Sequence, residues 1–370
     1  MPSDYQTRWL TYHGSNFFRQ RLLLSTLSGR PVKIVDIRSK DDEPGLQEHE
    51  ANFIKLLEKM CNGSEIIINH TGTKLMYKPG TINGGILSHD CSSGSRSLGY
   101  YLEPILCLAP FCKTALQLTL QGITNGGHDP SVDTIKMVTL KLMEKFGLDE
   151  GLELTINKRG SMPKGGGEIF LRCPVVRQLN TVNMLETGKV KKIRGLSYTT
   201  RVSPAMANRI IDSCRNSLNP FISDLYIYVD HCKGNQSGLS PGFGVTLTAT
   251  TTSGVMYSSQ LTADVSDQKL PEDIGQYAAY KLLSEIKQGG CIDATHQTLA
   301  LLMIALGPPD VGKIRTGPLT DYTVAFLRHL KDFFQVMFKI DALTDEESDL
   351  QSLVLSCLGI NYVNISKKST

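Results

Sequence analysis

The sequence lacks the cysteine and histidine patterns that mark disulfide-stabilised or metal-binding proteins. Its nine cysteines are an odd number and include no CxxC pair, which argues against a framework of disulfides. The eight histidines form no HExxH motif, and the adjacent His231 and Cys232 cannot easily face one metal ion. We therefore expect no metal, no cofactor and a reducing compartment, the cytosol or the nucleus.

Long apolar runs are missing as well. The segment MPSDYQTRWLTYHG has no hydrophobic region of a signal peptide, and no other run reaches membrane-spanning length, so we expect no membrane association. The 370 residues, 41% hydrophobic and 20% charged, are enough for two or three ordinary globular domains. A net charge of +3 permits nucleic-acid binding without requiring it.

An internal repeat is visible along the chain. The segment from Gly14, GSNFFRQRLLLSTLSGRPVKIVDIR, corresponds to the segment from Gly99, GYYLEPILCLAPFCKTALQLTLQGIT, and each predicts an apolar helix followed by a strand. A later strand aligns Glu65 with Glu153, so the offset drifts only from 85 to 88 residues. A third copy begins at HQTLALLMIALG, after about a hundred residues of mixed strand and helix pattern that can bury their own core.

These patterns predict three helix–strand–helix–strand–strand units with a smaller domain inserted before the last. The expected limits are 1–183 for the first two units, 184–285 for the inserted domain and 286–370 for the third unit. Because the repeat should bring helix ends together, basic residues of the first copy could share a cleft with Arg159. These basic residues are Arg19, Arg21, Lys33 and Arg38.

The stretch KRGSMPKGGGEI, residues 158–169, places three consecutive glycines beside basic residues. Consecutive glycine N–H groups can form an anion-binding concavity. The anion-binding candidates are Lys158, Arg159, Lys164, Gly165, Gly166 and Gly167. The loop is not a Walker A motif, because Glu168 and an apolar strand follow the glycines. The alternative interpretation is a wide β-turn between two strands.

Two other basic clusters are candidate surfaces for RNA or a protein partner. They are Lys191, Lys192 and Arg194 in the first, and Arg328, His329 and Lys331 on an outward helix face in the second. The alternative for both is a solvated basic face.

Cys291, Asp293 and His296 lie close together in the sequence. They could provide a nucleophile and a base, but proximity in sequence does not establish the geometry of a triad. We expect instead that Asp293 caps the helix that carries LALLMIAL.

Several long segments together resemble the RNA 3'-terminal phosphate cyclase superfamily, and most closely its cyclase-like branch of eukaryotic nucleolar ribosome-biogenesis proteins. The segments are LSGRPVKIVDIRSKDDEPGLQEHE, GYYLEPILCLAP, KRGSMPKGGGE, RVSPAMANRI and SGLSPGFG, and the resemblance covers essentially the whole chain. It implies an α/β (α+β) fold: three repeated units of two helices and a four-stranded sheet, with an inserted smaller α/β domain.

The resemblance also implies that this chain has lost cyclase activity. Active cyclases adenylylate a histidine, transfer AMP to an RNA terminal phosphate and close a 2',3'-cyclic phosphate. In the matching stretch GPLTDYT, Thr320 stands where that histidine would be, and its hydroxyl cannot form a phosphoramidate. His329 lies about 13 Å further along the helix axis and is a poor substitute.

Other family positions differ too, whereas Arg19 matches a family arginine. Tyr12 and Asn16 stand for a Glu and a Gln, Asp41 stands for an arginine, and His49 stands for a Gln. The implied cleft is therefore degenerate and carries no catalytic residue. The glycine loop would then hold a backbone turn or an anion without transforming it.

The function implied by the resemblance is that of a non-catalytic ribosome biogenesis factor. It would act in the small-subunit processome of the nucleolus, in early pre-rRNA processing towards 18S rRNA. Its partners would be a nucleolar GTPase, which it binds and delivers or activates, and small nucleolar ribonucleoprotein and pre-rRNA. One alternative is an RNA-processing enzyme, either a diverged cyclase or a pre-rRNA endonuclease that uses His49, His329 or Asp41. Another is a generic RNA-binding module.

Overall fold

The computed structural model describes residues 9–92, 96–263, 269–344 and 351–367. Within these ranges the chain forms four sheets of four strands and one of two strands. Three of the four-stranded sheets share one strand arrangement, which confirms the predicted mixed α/β fold with repeated units and an inserted domain. No helix of the described ranges is both long and apolar enough to cross a membrane.

The first unit begins with a parallel strand pair and ends with an antiparallel one. Its elements are β1 (Leu10–His13), α1 (Phe18–Ser28), β2 (Val32–Val35), α2 (Glu48–Met60), β3 (Cys61–Asn62), β4 (Glu65–Ile68), β5 (Leu75–Lys78) and β6 (Thr81–Ile82). β1 is parallel to β2, whereas β2–β5 and β5–β4 are antiparallel, so the sheet order is β1-β2-β5-β4. The short strands β3 and β6 pair separately.

The second unit repeats this arrangement. Its elements are β7 (Gly84–Asp90), α3 (Leu98–Leu108), β8 (Thr114–Gly122), α4 (Val132–Thr134), α5 (Leu140–Lys145), β9 (Glu153–Lys158) and β10 (Gly167–Cys173). The sheet order is β7-β8-β10-β9, and again only the first pair is parallel. A π-helical turn, Ile135–Thr139, joins α4 to α5, and the glycine loop joins β9 to β10.

An insertion divides the third unit. One short strand, β11 (Asn183–Met184), precedes the inserted elements β12 (Val190–Thr200), α6 (Ala205–Leu218), β13 (Leu225–Cys232), β14 (Gly242–Thr251), β15 (Met256–Thr262) and α7 (Pro271–Gln288). The unit then continues with α8 (Gln297–Leu306), β16 (Val311–Thr316), α9 (Asp321–Phe334), β17 (Lys339–Thr344) and β18 (Gln351–Leu358). Its sheet order, β11-β16-β18-β17, matches the other two units. The expected limits at 183/184 and 285/286 fall inside β11 and α7.

Two hydrophobic cores account for this organisation. One core runs through all three units and includes α8, whose apolar sequence QTLALLMIAL is buried at every position. The inserted domain has a separate core in which α6 and α7 pack on one face of the sheet β13-β12-β14-β15. Ile210, Leu247 and Ala278 represent α6, β14 and α7 in that core. The inserted segment therefore buries its own apolar surface, as its length suggested.

Candidate functional site

The beginnings of three helices meet around the side chain of Tyr100, in the first turn of α3. The guanidinium carbon of Arg19, from the first turn of α1, lies 4.3 Å from the Tyr100 ring centroid, and that of Arg96 lies 4.9 Å from it. His49, from the first turn of α2, meets the ring edge-on at 4.9 Å. Helix N-termini favour anions. We call the group made by Arg19, Arg38, His49, Arg96 and Tyr100 the Tyr100 cluster.

Carboxylates of the same chain already pair the arginines of this cluster. Arg19 Nη1 lies 2.9 Å from Glu103 Oε2 and donates to the Tyr100 carbonyl at 2.8 Å. The Arg38 guanidinium donates to both carboxylate oxygens of Glu50 at 2.7 Å, and the Glu50 side chain is only 4% exposed. An arriving phosphate would therefore have to displace a well-placed carboxylate.

Arg96, the third arginine of the cluster, is also paired with a carboxylate, and the pKa shifts of Arg19 and Arg38 agree with their pairing. Arg96 Nε donates to Asp129 Oδ2 at 2.9 Å. Burial is the largest single effect and lowers the pKa of Arg19, but Glu103, Tyr322, Tyr100 and Asp129 together raise it above its ordinary value. Hydrogen bonds to Glu50 raise the pKa of Arg38. The exposed Asp41 adds another negative charge beside Arg38. The backbone N–H of Asp41 donates a hydrogen bond to the Arg38 carbonyl.

Tyr12 and Arg21 form a second group on the side of α9. Tyr12 donates its hydroxyl to Asp332 Oδ2 at 2.9 Å, and the Arg21 guanidinium carbon lies 4.7 Å from the Tyr12 ring centroid. Arg21 also donates to the Gly14 carbonyl at 2.8 Å. Burial and then the bond to Asp332 raise the pKa of Tyr12. Arg21 is 6% exposed, so it is an internal support and not an open anion site.

The prediction that His329 projects outward is wrong. His329 is 6% exposed, and its Nδ1 lies 2.9 Å from Gln20 Oε1 on α1. Burial, with a contribution from Arg21, lowers the pKa of His329 to about 4, so the ring is neutral at neutral pH. The reason is helical period: His329 follows Phe326 by three residues and shares its buried face. Arg328 and Lys331 of the same helix are exposed.

Thr320 occupies the N-cap of α9. Its Oγ1 accepts a hydrogen bond from the Thr323 backbone N–H at 3.1 Å, which stabilises the first turn of the helix. Gln297 Oε1 accepts from the Thr320 N–H at 3.2 Å and from the Thr323 hydroxyl at 2.8 Å. The Thr320 hydroxyl is therefore occupied as the N-cap of α9. Asn16 lies exposed in the turn before α1.

A cavity close to this cap is too small for a nucleotide. It lies between α1, α3, α8 and α9, and Arg19, Glu103 and Tyr322 are among its lining residues. Its volume of about 20 Å³ is room for about one water molecule.

The glycine loop contacts the inserted domain. The backbone N–H of Leu239 donates to the Gly165 carbonyl at 2.9 Å, and the Lys164 N–H donates to Ser240 Oγ at 3.1 Å. Gly165 and Gly166 have φ angles of 59° and 73°, and a Cβ on Gly166 would lie 2.7 Å from Leu239 Cγ. The turn interpretation of these glycines, with the close backbone approach of Gly166, is confirmed. Lys158 is half-buried at the end of β9, and Gly167 begins β10.

Arg159 is buried, which corrects its assignment to an anion site. Its side chain is 2% exposed and bonds to both oxygens of Asp133, at 2.6 and 3.0 Å. It also donates to Asp230 Oδ2 on β13 at 2.7 Å, and its guanidinium carbon lies 4.7 Å from the Tyr198 ring centroid. Arg159 therefore joins the inserted domain to the second unit. The basic cleft that it was expected to share with Arg19 is replaced by two separately neutralised groups.

Asp293 caps the helical turn that leads into α8, as predicted. Its Oδ1 accepts from the His296 backbone N–H at 3.1 Å, and His296 Nε2 lies 2.8 Å from Thr139 Oγ1. Cys291 and His296 line a cavity of about 380 Å³ between α5 and the β14–β15 turn. Burial raises the pKa of Cys291 to about 11, so its thiol is protonated at neutral pH and is not an activated nucleophile. Among the described residues, no group of three His, Cys, Asp or Glu side chains is placed to hold a metal ion.

The basic residues Lys191, Lys192 and Arg194 lie on β12 of the inserted domain. Lys191 is exposed, and Arg194 pairs with Asp224 at 2.8 Å. The neighbouring edge strand, β13, carries two exposed tyrosines that the sequence analysis did not single out.

Comparison with known proteins places the chain in a family. The family model described as RNA 3'-terminal phosphate cyclase matches residues 10–340. The chain belongs to this family. An RNA 3'-terminal phosphate cyclase-like protein of Homo sapiens is 53% identical and covers 98% of each chain. A probable RNA 3'-terminal phosphate cyclase-like protein of Drosophila melanogaster is 47% identical over 99% of each chain.

One relative has a name that describes a process. The rRNA processing protein rcl1 of Schizosaccharomyces pombe is 40% identical to this chain and covers 96% of it and 97% of its own length. The family resemblance deduced from the motifs is thereby confirmed. The matches of Thr320, Tyr12 and Asn16 to individual family positions stay predictions.

Sequence reasoning missed Tyr100, Arg96 and the carboxylates that pair the arginines. The only local signal was Arg96 just ahead of the helix start SLGYYLEP, where a basic residue is unusual. Its partner Asp129 lies 33 residues further along, so only the packing of the second unit brings the two together.

Proposed function

We propose that this chain is a non-catalytic rRNA-processing factor. It acts in the nucleolus, as part of the small-subunit processome, in early pre-rRNA processing towards 18S rRNA. Its task is docking: it binds and delivers or activates a nucleolar GTPase, alongside pre-rRNA and small nucleolar ribonucleoprotein. The support is its family, the cyclase-like names of its relatives and the relative named as an rRNA processing protein.

The observation that carries the non-catalytic part is the role of Thr320. Nucleotidyl transfer through a phosphoramidate needs an imidazole nitrogen, and this position holds a hydroxyl that caps α9. Gln297 holds the cap in place from α8. The arginines of the Tyr100 cluster support the same conclusion. Each is paired with a carboxylate of this chain, which would have to be displaced before the guanidinium could bind a transferred phosphate.

Labelling with ATP tests the loss of nucleotidyl transfer. Purified protein is incubated with ATP labelled on the α-phosphate and magnesium, then denatured, with an active cyclase as the positive control. We expect no AMP bound covalently to this chain. A labelled band, mapped to any residue, would contradict the proposal.

A pair of variants at Thr320 tests whether the hydroxyl matters for function in cells. Thr320→Asn removes the hydroxyl but keeps a strong N-cap, whereas Thr320→Ala removes both and should cost about 1 kcal/mol of stability. In cells depleted of the endogenous protein, we expect Thr320→Asn to restore 18S rRNA production fully. Failure of a stable Thr320→Asn protein would point to chemistry at this hydroxyl.

The exposed basic residues of α9 are the proposed GTPase surface. Arg328 and Lys331 project from the helix, whereas His329 is removed from this set because it is buried. The double variant Arg328→Glu/Lys331→Glu should lose capture of the GTPase while its unfolding curve is unchanged. Unchanged capture would remove this surface, and the equivalent reversal at Lys191 and Lys192 tests the other candidate.

A pre-rRNA endonuclease is the second candidate, and one observation favours it. Burial lowers the pKa of His49, so the imidazole is available as a neutral base at the edge of the Tyr100 cluster. The other two candidate groups give less support, because His329 is enclosed and Asp41 lies beside Arg38. Cleavage of a pre-rRNA fragment by the protein alone, abolished by His49→Gln, would establish this function in place of the docking role.

A further inference from the structure

Two adjacent tyrosines stand exposed on the edge strand of the inserted domain. Tyr226 and Tyr228, on β13, are 50% and 54% exposed, and their ring centroids are 4.5 Å apart. Within the part of the chain that the structure describes, β13 pairs with β12 only, so it lies at the border of the sheet. Contiguous exposed aromatic side chains of this kind mark a candidate interaction site.

Strand register places basic side chains on the same face of the sheet. Arg194 on β12 is the register partner of Tyr226, and Leu196 is the partner of Tyr228. Ile193 and Ile227 alternate with these residues and are buried in the core against the helices. The tyrosines and Arg194 therefore share the face away from α6 and α7, and Lys192 has the same alternation as Arg194.

The strip is positively charged at one end, and its other end is covered by the second unit. The sequence has no acidic residue between Lys189 and Arg201. Asp224 is the ion-pair partner of Arg194, whose hydrogen bond lowers the pKa of that carboxyl, and the charges of Lys191 and Lys192 lower it further. Further along β13, Asp230 is tied to the buried Arg159. The open part of the strip thus ends where the inserted domain meets the second unit.

We propose that this strip, defined by Lys192, Arg194, Leu196, Tyr226 and Tyr228, binds single-stranded RNA. The exposed tyrosine rings offer stacking surfaces for unpaired bases, and Lys192 supplies positive charge for a neighbouring phosphate, whereas Arg194 is paired with Asp224. Duplex RNA does not fit, because its bases are stacked on one another and hidden from flat aromatic platforms. The inference goes beyond the proposed docking function, since it assigns a direct RNA contact to a surface distinct from α9.

Binding of a fluorescein-labelled ten-nucleotide oligouridine, followed by anisotropy, tests the proposal. The variant Tyr226→Ala/Tyr228→Ala should bind at least tenfold more weakly, a change of about 1.4 kcal/mol. The matched control is Tyr277→Ala/Tyr280→Ala, which removes two tyrosines of α7 that are 54% and 51% exposed. The control should bind as the unaltered chain does.

Two further variants separate stacking from charge. Tyr226→Phe/Tyr228→Phe keeps both rings and should keep binding within about twofold, because stacking does not need the hydroxyl. Lys192→Glu should weaken binding and make it less dependent on salt concentration.

Three results of the binding assay would overturn the proposal. They are no binding by the unaltered chain, equal binding by the Tyr226→Ala/Tyr228→Ala variant, or equal losses in both alanine pairs. Loss of GTPase capture by the β13 pair with RNA binding intact would make the strip a protein surface and also overturn it. A negative RNA result with normal 18S rRNA production in cells would leave the docking function standing, so the two failures are distinguishable.

Discussion

Arg159 and Asp133 form an ion pair at the boundary between the second unit and the inserted domain. The two side chains are 2% and 4% exposed, and the guanidinium donates to both carboxylate oxygens. Burial alone would raise the pKa of Asp133, but the Arg159 charge and its hydrogen bonds lower it. Since Arg159 also bonds Asp230 of β13, one buried cation holds carboxylates of both parts of the protein.

Removing this cation should destabilise the protein strongly. Arg159→Met leaves two carboxylates without their shared partner, and breaking a buried pair from one side costs about 3–5 kcal/mol. Denaturant unfolding followed by circular dichroism measures the change. The control is Arg209→Met, whose pair with Glu272 is exposed to solvent, so its loss should change the free energy of unfolding far less than Arg159→Met does. Equal effects of the two variants would show that Arg159 is not an organising contact.

The glycine loop gives a second test of the same boundary. Gly166→Ala combines a φ of 73° with a Cβ 2.7 Å from Leu239 Cγ, so we expect a loss of about 1–3 kcal/mol in the free energy of unfolding. Gly127→Ala is the matched control, because a Cβ there has no neighbour within 4 Å. Adding Leu239→Ala to Gly166→Ala should recover part of the loss by relieving the clash. No difference between the two single glycine variants would refute the packing role.

Much of the fold could be predicted because the repeat is written in local patterns. Apolar periodicity and the offset of 85 to 88 residues identified the helices and the later strands of the first two units, whereas the opening strands β1 and β7 were missed. The two-residue strand β11 was missed because so short a segment carries no periodic signal, and only its pairing with β16 defines it. The inserted domain was found because its length and mixed pattern permit a separate core.

The candidate site was predicted less well, because charge partners come from tertiary structure. Arg159 reads as a basic loop residue, yet Asp133 and Asp230 lie 26 and 71 residues away and convert it into a buried pair. The glycines were open to two interpretations until Leu239 was seen against them. His329 is different: its spacing from Phe326 and Phe333 is that of the buried face of α9, so its outward placement could have been avoided from the sequence alone.

The buried imidazole of His329 predicts a pH dependence of stability. Its pKa is about 4 in the folded protein and about 6.5 in an unfolded chain, so the unfolded state binds the proton more readily. The stabilisation is complete above about pH 6.5 and is lost as the pH falls towards 4, by roughly 1.4 kcal/mol per unit at most. Unfolding curves from pH 7 to 4 measure this slope. His329→Asn retains a polar partner for Gln20 and should flatten it.

A direct titration checks the same assignment. The ring protons of His329, followed by NMR, should show no protonation until the pH approaches 4. A midpoint near 6.5 would mean that the ring is open to solvent, and the outward basic face of α9 would have to include it again.

The last prediction concerns Glu103 and Asp129, the carboxylates that pair with Arg19 and Arg96 of the Tyr100 cluster. Glu103→Gln leaves the Arg19 guanidinium with a neutral partner at the starts of α1 and α3, where anions are favoured. Inorganic phosphate should then raise the Tm of this variant by roughly 2 °C, whereas the Tm of the unaltered chain should not respond. The control is Glu65→Gln, which breaks an exposed pair with Lys78 and should give no phosphate response.

Asp129→Asn repeats this test at Arg96 and guards against a folding defect in the first variant. If phosphate stabilises the unaltered chain as strongly as the variants, the carboxylates do not keep anions out and the cluster is an open phosphate site. If phosphate raises the Tm of the two variants only, the single acidic side chain at each position decides whether the cluster binds phosphate. The exclusion of phosphate would then depend on Glu103 and Asp129, whereas the proposed loss of nucleotidyl transfer depends on Thr320.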